Sequence, residues 1–255
     1  MLSSSIFPLE IEETILDLLA EDDEGHSALK TCSLVCQAFL PICRKHIFRS
    51  IVLNDHDVVS SATTHAFKRL LRETPEIAYY IRKLDYKILI ADLSASMQES
   101  LKQISRLEFL TVRQAVQDPW SSNPIRPALL HLLHLPTLTH FKMTNINDFV
   151  VSDLIPCINL KYLDFDFCTT GAAETTFPAL LPEHSIQLNE FVAGMENSTV
   201  IMKLCTAQRP DGRPIIDFGS LSKITVVLED PNEGEASQEL FGRCHVLTNV
   251  DISCK

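Results

Sequence analysis

The chain has 255 residues, of which 45% are apolar, and its 22 Lys and Arg stand against 33 Asp and Glu, a formal net charge of −11. This apolar content supports a sizeable core and excludes a chain that is disordered throughout. The acidic balance argues against nucleic acid and anionic membranes as partners, because both are bound through clustered positive charge, and no apolar run approaches the ~20 residues of a membrane span.

The first predicted helix runs from Pro8 to about Leu19. Proline is favoured in the first turn, where its missing N–H costs nothing, and the glutamates that follow stabilise the positive end of the helix dipole. At about 100° per residue the helix carries two apolar stripes: Ile11, Ile15, Leu18 and Leu19, and Leu9, Leu16 and Ala20. A helix at the edge of a small domain needs only one, so we expect the other stripe to contact a partner.

A second helix is predicted after Ser27, whose hydroxyl suits an N-cap. Its inner face comprises Ala28, Cys32, Val35, Cys36 and Phe39, and Leu34 lies off that face. Pro41 should end or kink this helix, and the apolar pattern then continues through Phe48 into a third helix. Taken alone, the pattern fits a simple three-helix cap on the following domain equally well.

Three segments of this region resemble an F-box domain. Phe7-Pro8-Leu9-Glu10-Ile11 resembles the Leu-Pro-x-Glu-Ile opening of F-boxes, with Phe7 where leucine is usual. Leu34-Val35-Cys36-Gln37-Ala38-Phe39 resembles the second-helix signature, in which a Val-Cys pair precedes an aromatic residue. Cys43-Arg44-Lys45-His46-Ile47-Phe48 is similar to the closing segment of fungal F-box-like proteins, although the common tryptophan before the third helix is absent.

The resemblance implies an F-box-like helical module over residues 1–50. In that family the module binds a Skp-family adaptor, which links it to a cullin ubiquitin ligase. The adaptor-binding residues it implies here are Phe7, Pro8, Leu9, Ile11, Leu16, Leu34 and Phe39.

Residues 51–255 contain seven similar strand-like segments, centred on Leu84, Leu110, Phe141, Leu163, Phe191, Ile224 and Val250. The steps between centres are 26, 31, 22, 28, 33 and 26 residues, near the upper edge of the ~20–29 residues of leucine-rich repeats. The clearest copy, Leu160 to Cys168, fits L-x-x-L-x-L-x-x-C throughout. The fold class we predict is therefore an α/β solenoid, in which the helical module precedes irregular leucine-rich repeats with parallel strands and outer helices.

Helix-like segments lie between these strands, at 66–73, 92–104, 127–135 and 149–155, and an acidic surface loop is predicted at 230–237. Alternating strands and helices also describe a doubly wound α/β sheet. We favour the repeats, because polar residues alternate with apolar ones in these strands. The strands of a sheet that is buried on both faces are apolar at nearly every position. The last strand-like segment, 249–253, has no cap after it, and terminal repeats normally need one; a shortened product would fit this.

The sequence contains no phosphate-cradling, nucleophile-elbow or paired-cysteine metal motif. The eight cysteines are scattered, and we interpret them as reduced, mostly buried thiols of an intracellular protein of the cytoplasm or nucleus. Four residues could be proposed as zinc ligands: Cys32, Cys36, Cys43 and His46. The better interpretation is that the three cysteines pack on the inner faces of helices. We therefore expect no cofactor and no metal, and we interpret the sequon Asn197-Ser198-Thr199 as chance.

Alternation along the strands predicts which side chains bind. If Leu163, Phe165 and Phe167 point inward, Tyr162, Asp164 and Asp166 point outward, and stacked repeats align such residues into one concave surface. The candidate target-binding residues are Phe109, Arg113, His140, Lys142, Tyr162, Asp164, Asp166 and Glu190. Phe109 and Tyr162 are the expected anchors. Asp164 and Asp166 could also act as an acid–base pair, but no other catalytic feature accompanies them.

The function expected from these patterns is recruitment of a protein target to a Skp–cullin–F-box ubiquitin ligase, without covalent chemistry by the chain itself. The alternative is a leucine-rich-repeat scaffold or interaction protein whose first helices only cap the repeats. A third possibility is a small hydrolase-like or transferase-like α/β enzyme, which would need a deep pocket with convergent titratable groups.

Overall fold

A computed structural model describes residues 8–21, 25–35, 37–53, 62–88, 95–115, 118–171, 181–229 and 231–254. The α-helices are α1 (Leu9–Ala20), α2 (Gly25–Val35), α3 (Phe39–Ile47), α4 (Ala62–Glu73), α5 (Ala95–Lys102), α6 (Arg126–Leu133), α7 (Ser198–Thr206) and α8 (Pro231–Phe241). The strands are β1 (Ser50–Leu53), β2 (Lys83–Ile88), β3 (Phe109–Gln114), β4 (His140–Thr144), β5 (Tyr162–Asp166), β6 (Ile186–Gln187), β7 (Glu190–Ala193), β8 (Ile216–Asp217), β9 (Lys223–Leu228) and β10 (Asn249–Cys254).

Eight of these strands form one open α/β sheet in the order β1-β2-β3-β4-β5-β7-β9-β10, and every pair is parallel. The short strands β6 and β8 pair with each other. The order follows the chain, so the described strands lack the reversal of strand order found in a doubly wound sheet.

The register confirms the predicted alignment of the segments. All seven predicted centres occupy one continuous row across the sheet: Leu84, Leu110, Phe141, Leu163, Phe191, Ile224 and Val250. Ile51 of β1 extends this row by one strand that the sequence analysis did not predict.

One side of the sheet is buried because apolar side chains recur at every second strand position. In β2, Leu84, Tyr86 and Ile88 are at most 4% exposed, while the residues between them reach solvent. Leu71 of α4, Leu101 of α5 and other helix residues pack into the same cluster. Helices α4 to α8 therefore cover this side of the sheet. We call the opposite side of the sheet the open face.

The first three helices have a small core of their own, formed by Leu16, Leu29, Ile42 and Cys43. It is separate from the cluster beneath the sheet. The chain passes from α3 directly into β1, and the carbonyl of Arg49 accepts hydrogen bonds from the backbone N–H groups of residues 82 and 83, each at 2.9 Å. The end of the helical region is thus joined to the first strand pair.

Several local predictions were wrong. The segment predicted as an acidic loop forms α8, because Pro231 and Glu233 in its first turn are helix-starting residues as well as surface residues. Pro41 lies in the first turn of α3 instead of ending a helix. Phe167 follows the end of β5 with a φ of 53° and is half-buried, so it does not continue the inward row. The segment 149–155 contains a 3₁₀ turn, Val151–Leu154.

Asn197 fixes the connection after β5. Its side chain is 1% exposed. The amide oxygen accepts from the N–H of Cys168 at 3.0 Å, and the amide nitrogen donates to the carbonyl of Phe165 at 2.9 Å. The side chain of this sequon is therefore fully used inside the fold.

We predict that Asn197→Ala lowers the free energy of unfolding by about 1–3 kcal/mol, because it leaves the buried N–H of Cys168 without a partner. It also removes one of the two donors to the carbonyl of Phe165, which keeps its hydrogen bond from the N–H of Gly194. Urea denaturation followed by circular dichroism measures this loss. The control is Asn159→Ala, which removes a comparable bond to the carbonyl of Pro136 at an exposed site and should cost less than about 0.5 kcal/mol. Equal losses in the two variants would contradict the role given to Asn197.

Candidate functional site

The open face brings the predicted target-binding residues together. Phe109, His140, Tyr162 and Glu190 are neighbours in one row across four adjacent strands. Lys142 and Asp164 are paired neighbours in the next row. Arg113 and Asp166 lie in a third row, with Thr144 between them. Residues that are far apart in the chain therefore form a single surface, because corresponding positions of parallel strands align.

Three rings form a continuous stack in the first row. The ring centroids of Phe109 and His140 are 4.1 Å apart with an interplanar angle of 27°, and those of His140 and Tyr162 are 5.4 Å apart at 25°. His140 thus covers one flat face of each predicted anchor, and a partner would meet mainly ring edges. Burial lowers the pKa of His140, which favours its neutral form in the stack.

The carboxylate of Asp164 is satisfied within the open face. Its Oδ2 lies 2.6 Å from Nζ of Lys142 and accepts a hydrogen bond of 3.1 Å from the hydroxyl of Tyr162. Burial, and then the negative charge of Asp164, raises the pKa of Tyr162. Asp164 is only 3% exposed, so its expected role as an exposed target contact is wrong: its neighbours cover it.

Other charges of the open face are also paired across strands. Arg113 lies 2.9 Å from Asp85, and Lys223 lies 2.7 Å from Glu190. The carboxylate of Asp166 accepts the backbone N–H of Met195 at 3.3 Å. The open face therefore carries several ion pairs beside an aromatic stack. Because most of its charges are paired, the face has little net charge and can contact a polar protein surface.

The surface of α1 and α2 is unusually apolar. Ile11, Ile15 and Leu18 are 47%, 52% and 63% exposed, and Leu34 and Val35 at the end of α2 are 87% and 75% exposed. The three α1 residues share a stripe at positions i, i+4 and i+7. Exposed apolar groups concentrated in this way mark an interaction surface more often than scattered ones do.

The structure divides the predicted adaptor-binding residues. Pro8, Ile11 and Leu34 are exposed, and Phe39 is half-buried against the small core. Leu16 is 3% exposed in that core, so its assignment to the surface is wrong: the stripe it belongs to faces inward. Phe7 and the side chain of Leu9 lie outside the described residues.

Val35 was expected to face inward and instead lies at the surface. Ile15 and Leu18 were absent from the candidate list, although they share the stripe of Ile11 and could have been found from that spacing. The two stripes of α1 are similar in apolar character, and only packing against α2 and α3 distinguishes them.

The cysteines that the structure describes do not converge on a metal site. In the part of the chain that the structure describes, no group of three or more His, Cys, Asp or Glu side chains could hold an ion. Cys43 is buried, Cys32 is half-buried, and Cys36 is outside the described residues. Burial raises the pKa of Cys168 and of Cys205 to about 11, so both are protonated thiols at neutral pH, unlike a metal-binding thiolate.

Comparison of the chain with models of protein families, with curated proteins and with solved structures gives no match. No helix within the described ranges has the length and apolar content to cross a membrane. We therefore infer the function of the protein from the geometry of its open face and of the exposed apolar side chains of α1 and α2.

The pair of Lys142 and Asp164 should contribute to stability. We predict that Lys142→Met lowers the free energy of unfolding by about 1–3 kcal/mol, because it leaves a buried carboxylate without its charged partner. Adding Asp164→Asn to that variant should restore most of the loss, since a neutral amide needs no counter-charge. Chemical denaturation of both single variants and the double variant measures the coupling, and simple additivity of the two losses would contradict a direct interaction.

Proposed function

We propose that this protein is the target-recruiting subunit of a Skp–cullin–F-box ubiquitin ligase, with an F-box-like helical module and an irregular leucine-rich-repeat solenoid. The observation that carries the proposal is the exposed apolar surface of α1 and α2, on helices that have a separate small core. If the three helices served only to cap the sheet, their apolar side chains would pack against the sheet. These side chains face away from their own core and need another protein to cover them.

The proposed adaptor contacts are Pro8, Ile11, Ile15, Leu18, Leu34 and Val35, all of them exposed. A Skp-family adaptor would bury them in one apolar interface and connect the chain to a cullin. Apolar anchors at the centre of such an interface supply most of its binding energy.

Target recognition is proposed for the open face, as the concave surface of the solenoid. The stack of Phe109, His140 and Tyr162 supplies apolar edges, and the ion pairs around it supply polar selectivity. An apolar centre with a polar surround is the usual composition of a protein interface. The chain would then hold a target close to a ubiquitin-charged enzyme, which raises the local concentration of the target without any catalysis by the chain.

The adaptor assignment is tested with Ile15→Asp combined with Leu34→Asp. Both side chains are exposed, so the fold should survive, while two carboxylates in an apolar interface should weaken adaptor binding by at least about 2 kcal/mol. Affinity for a purified Skp-family adaptor is measured by calorimetry, and circular dichroism checks the fold. The matched control replaces two exposed apolar residues elsewhere, Ile158→Asp with Met202→Asp. If the unmodified chain does not bind the adaptor, or both variants bind it equally, the module is a cap and the scaffold alternative is favoured.

The open face is tested by adding bulk without breaking an ion pair. Thr111→Arg with Thr225→Arg places two long side chains in its second row. We expect this variant to lose at least about tenfold in affinity for targets recovered by the intact chain from cell extract, because the partner can no longer approach closely. Adaptor binding should be unchanged.

The control for this experiment is Thr206→Arg with Gln238→Arg, which adds the same groups to exposed positions of the outer helices α7 and α8. If the control loses target capture and the open-face variant keeps it, the target binds the outer helices and the proposed location on the open face is wrong.

A further inference from the structure

A cleft of about 700 Å³ lies between α4 and α5, among the outer helices. Among the residues that the structure describes, its charged lining comprises Lys68, Arg69 and Arg72 from α4 and Glu99 from α5, with His65 and Gln103 beside them. Three positive charges against one negative charge leave a formal excess of two positive charges, in a chain whose net charge is −11. The cleft therefore has a sign opposite to that of the whole protein.

The helices that carry the charged groups of the cleft are fixed by the core, and among the described residues the three cations have no ion-pair partner. Phe67 and Leu71 bury the opposite side of α4, and Met97 and Leu101 do the same for α5. Within the described residues, Lys68, Arg69 and Arg72 form no ion pair, whereas many other cations of the chain do, such as Arg113 and Lys223. The three cations of the cleft are therefore close together and have no ion-pair partner among the described residues.

Spacing makes the arrangement unfavourable without a counter-charge. Lys68 and Arg72 are four residues apart, and Arg69 and Arg72 are three apart, so their side chains are neighbours on one helix face. Like charges at these spacings repel each other. An anion between them would remove that repulsion and gain several charge-assisted hydrogen bonds.

We propose that the cleft between α4 and α5 binds a phosphoryl dianion, carried by a phosphorylated side chain or present as free phosphate. Two guanidinium groups can each donate two parallel hydrogen bonds to such a group. A phosphate monoester carries between −1.5 and −2 charges at pH 7, which matches the formal excess of the cleft, whereas a carboxylate would balance only half of it. Gln103 lies on the other wall and can donate from its amide.

The site is on the outer helices and does not depend on the proposed ligase function. Its test uses the purified full chain alone, so failure here would leave adaptor and target binding untouched. The probes are inorganic phosphate and a capped Gly-Ala-Ser-Ala-Gly peptide in three forms, with the serine phosphorylated, with it unmodified, or with it replaced by glutamate. Calorimetry at low salt and pH 7.5 measures their affinities.

We expect saturable binding of the phosphorylated peptide, with at least tenfold weaker binding of the serine and glutamate forms. Affinity of the phosphorylated peptide should fall below about pH 6, where the phosphoryl dianion takes up one proton and loses one negative charge. Stronger binding of the phosphopeptide than of inorganic phosphate would identify a protein-borne ligand, and equal binding would identify free phosphate. Both results support the site. If the glutamate form binds as tightly as the phosphorylated one, the phosphoryl assignment is overturned.

The variants locate the site. Arg69→Ala with Arg72→Ala should lose at least tenfold in affinity, and the corresponding double lysine variant should lose less, because it keeps charge but not the planar fork. Gln103→Glu adds a negative charge on the other wall of the cleft and should weaken binding similarly. It provides a test of the site even if the Arg variants fail to fold. The control, Lys161→Ala with Lys203→Ala, removes two charges elsewhere and should bind normally. Unchanged binding in all cleft variants, or no saturable binding of either phosphorylated probe, overturns the proposal.

Discussion

The structure depends on one row of apolar side chains that crosses the sheet at equivalent positions of eight parallel strands. A slip of one residue would turn a strand's whole apolar set toward solvent, so this row fixes the register of the pairs from β2 to β9, whose row residues are buried. It also determines which side chains remain on the open face. Phe109, His140 and Tyr162 stack because the core residues next to them, Leu110 and Phe141 among them, are aligned.

The first three helices satisfy the same requirement on a smaller scale and with a different result. Four residues are enough for their core, and the remaining apolar side chains of α1 stay in contact with water. Burying a large aliphatic side chain is favourable by about 1.5–3 kcal/mol, and the helical region does not gain this stabilisation from the side chains that stay exposed. Leu16 and Ile11 lie on the same helix, but Leu16 is buried and Ile11 is exposed, so α1 carries both a core face and an exposed apolar face.

Much of the sheet could be predicted from the sequence, because the period of its apolar residues is a strong signal: seven strands were located and correctly aligned. For the open face, the sequence predicts where the residues lie but not which side chains contact each other. Lys142 and Asp164 are neighbours across two strands, yet alternation alone cannot say that their side chains meet and cover the carboxylate. The choice between the stripes of α1 required the packing of α2 and α3. In α8, charged residues suggested a surface loop, although Pro231 and Glu233 also begin helices well.

The agreement between strand order and chain order has a consequence for growth and folding. Each strand pairs only with its neighbours in that order, so adding or deleting one strand with its connection changes a pair of contacts and leaves the rest of the sheet as it was. If the sheet is the repeat solenoid proposed above, its stability is close to a sum over units and the interfaces between adjacent units. Folding of such a solenoid can begin at any well-packed pair and spread in both directions, without closing a loop across the whole chain. The same arrangement lets the open face lengthen by whole units while its rows keep their register.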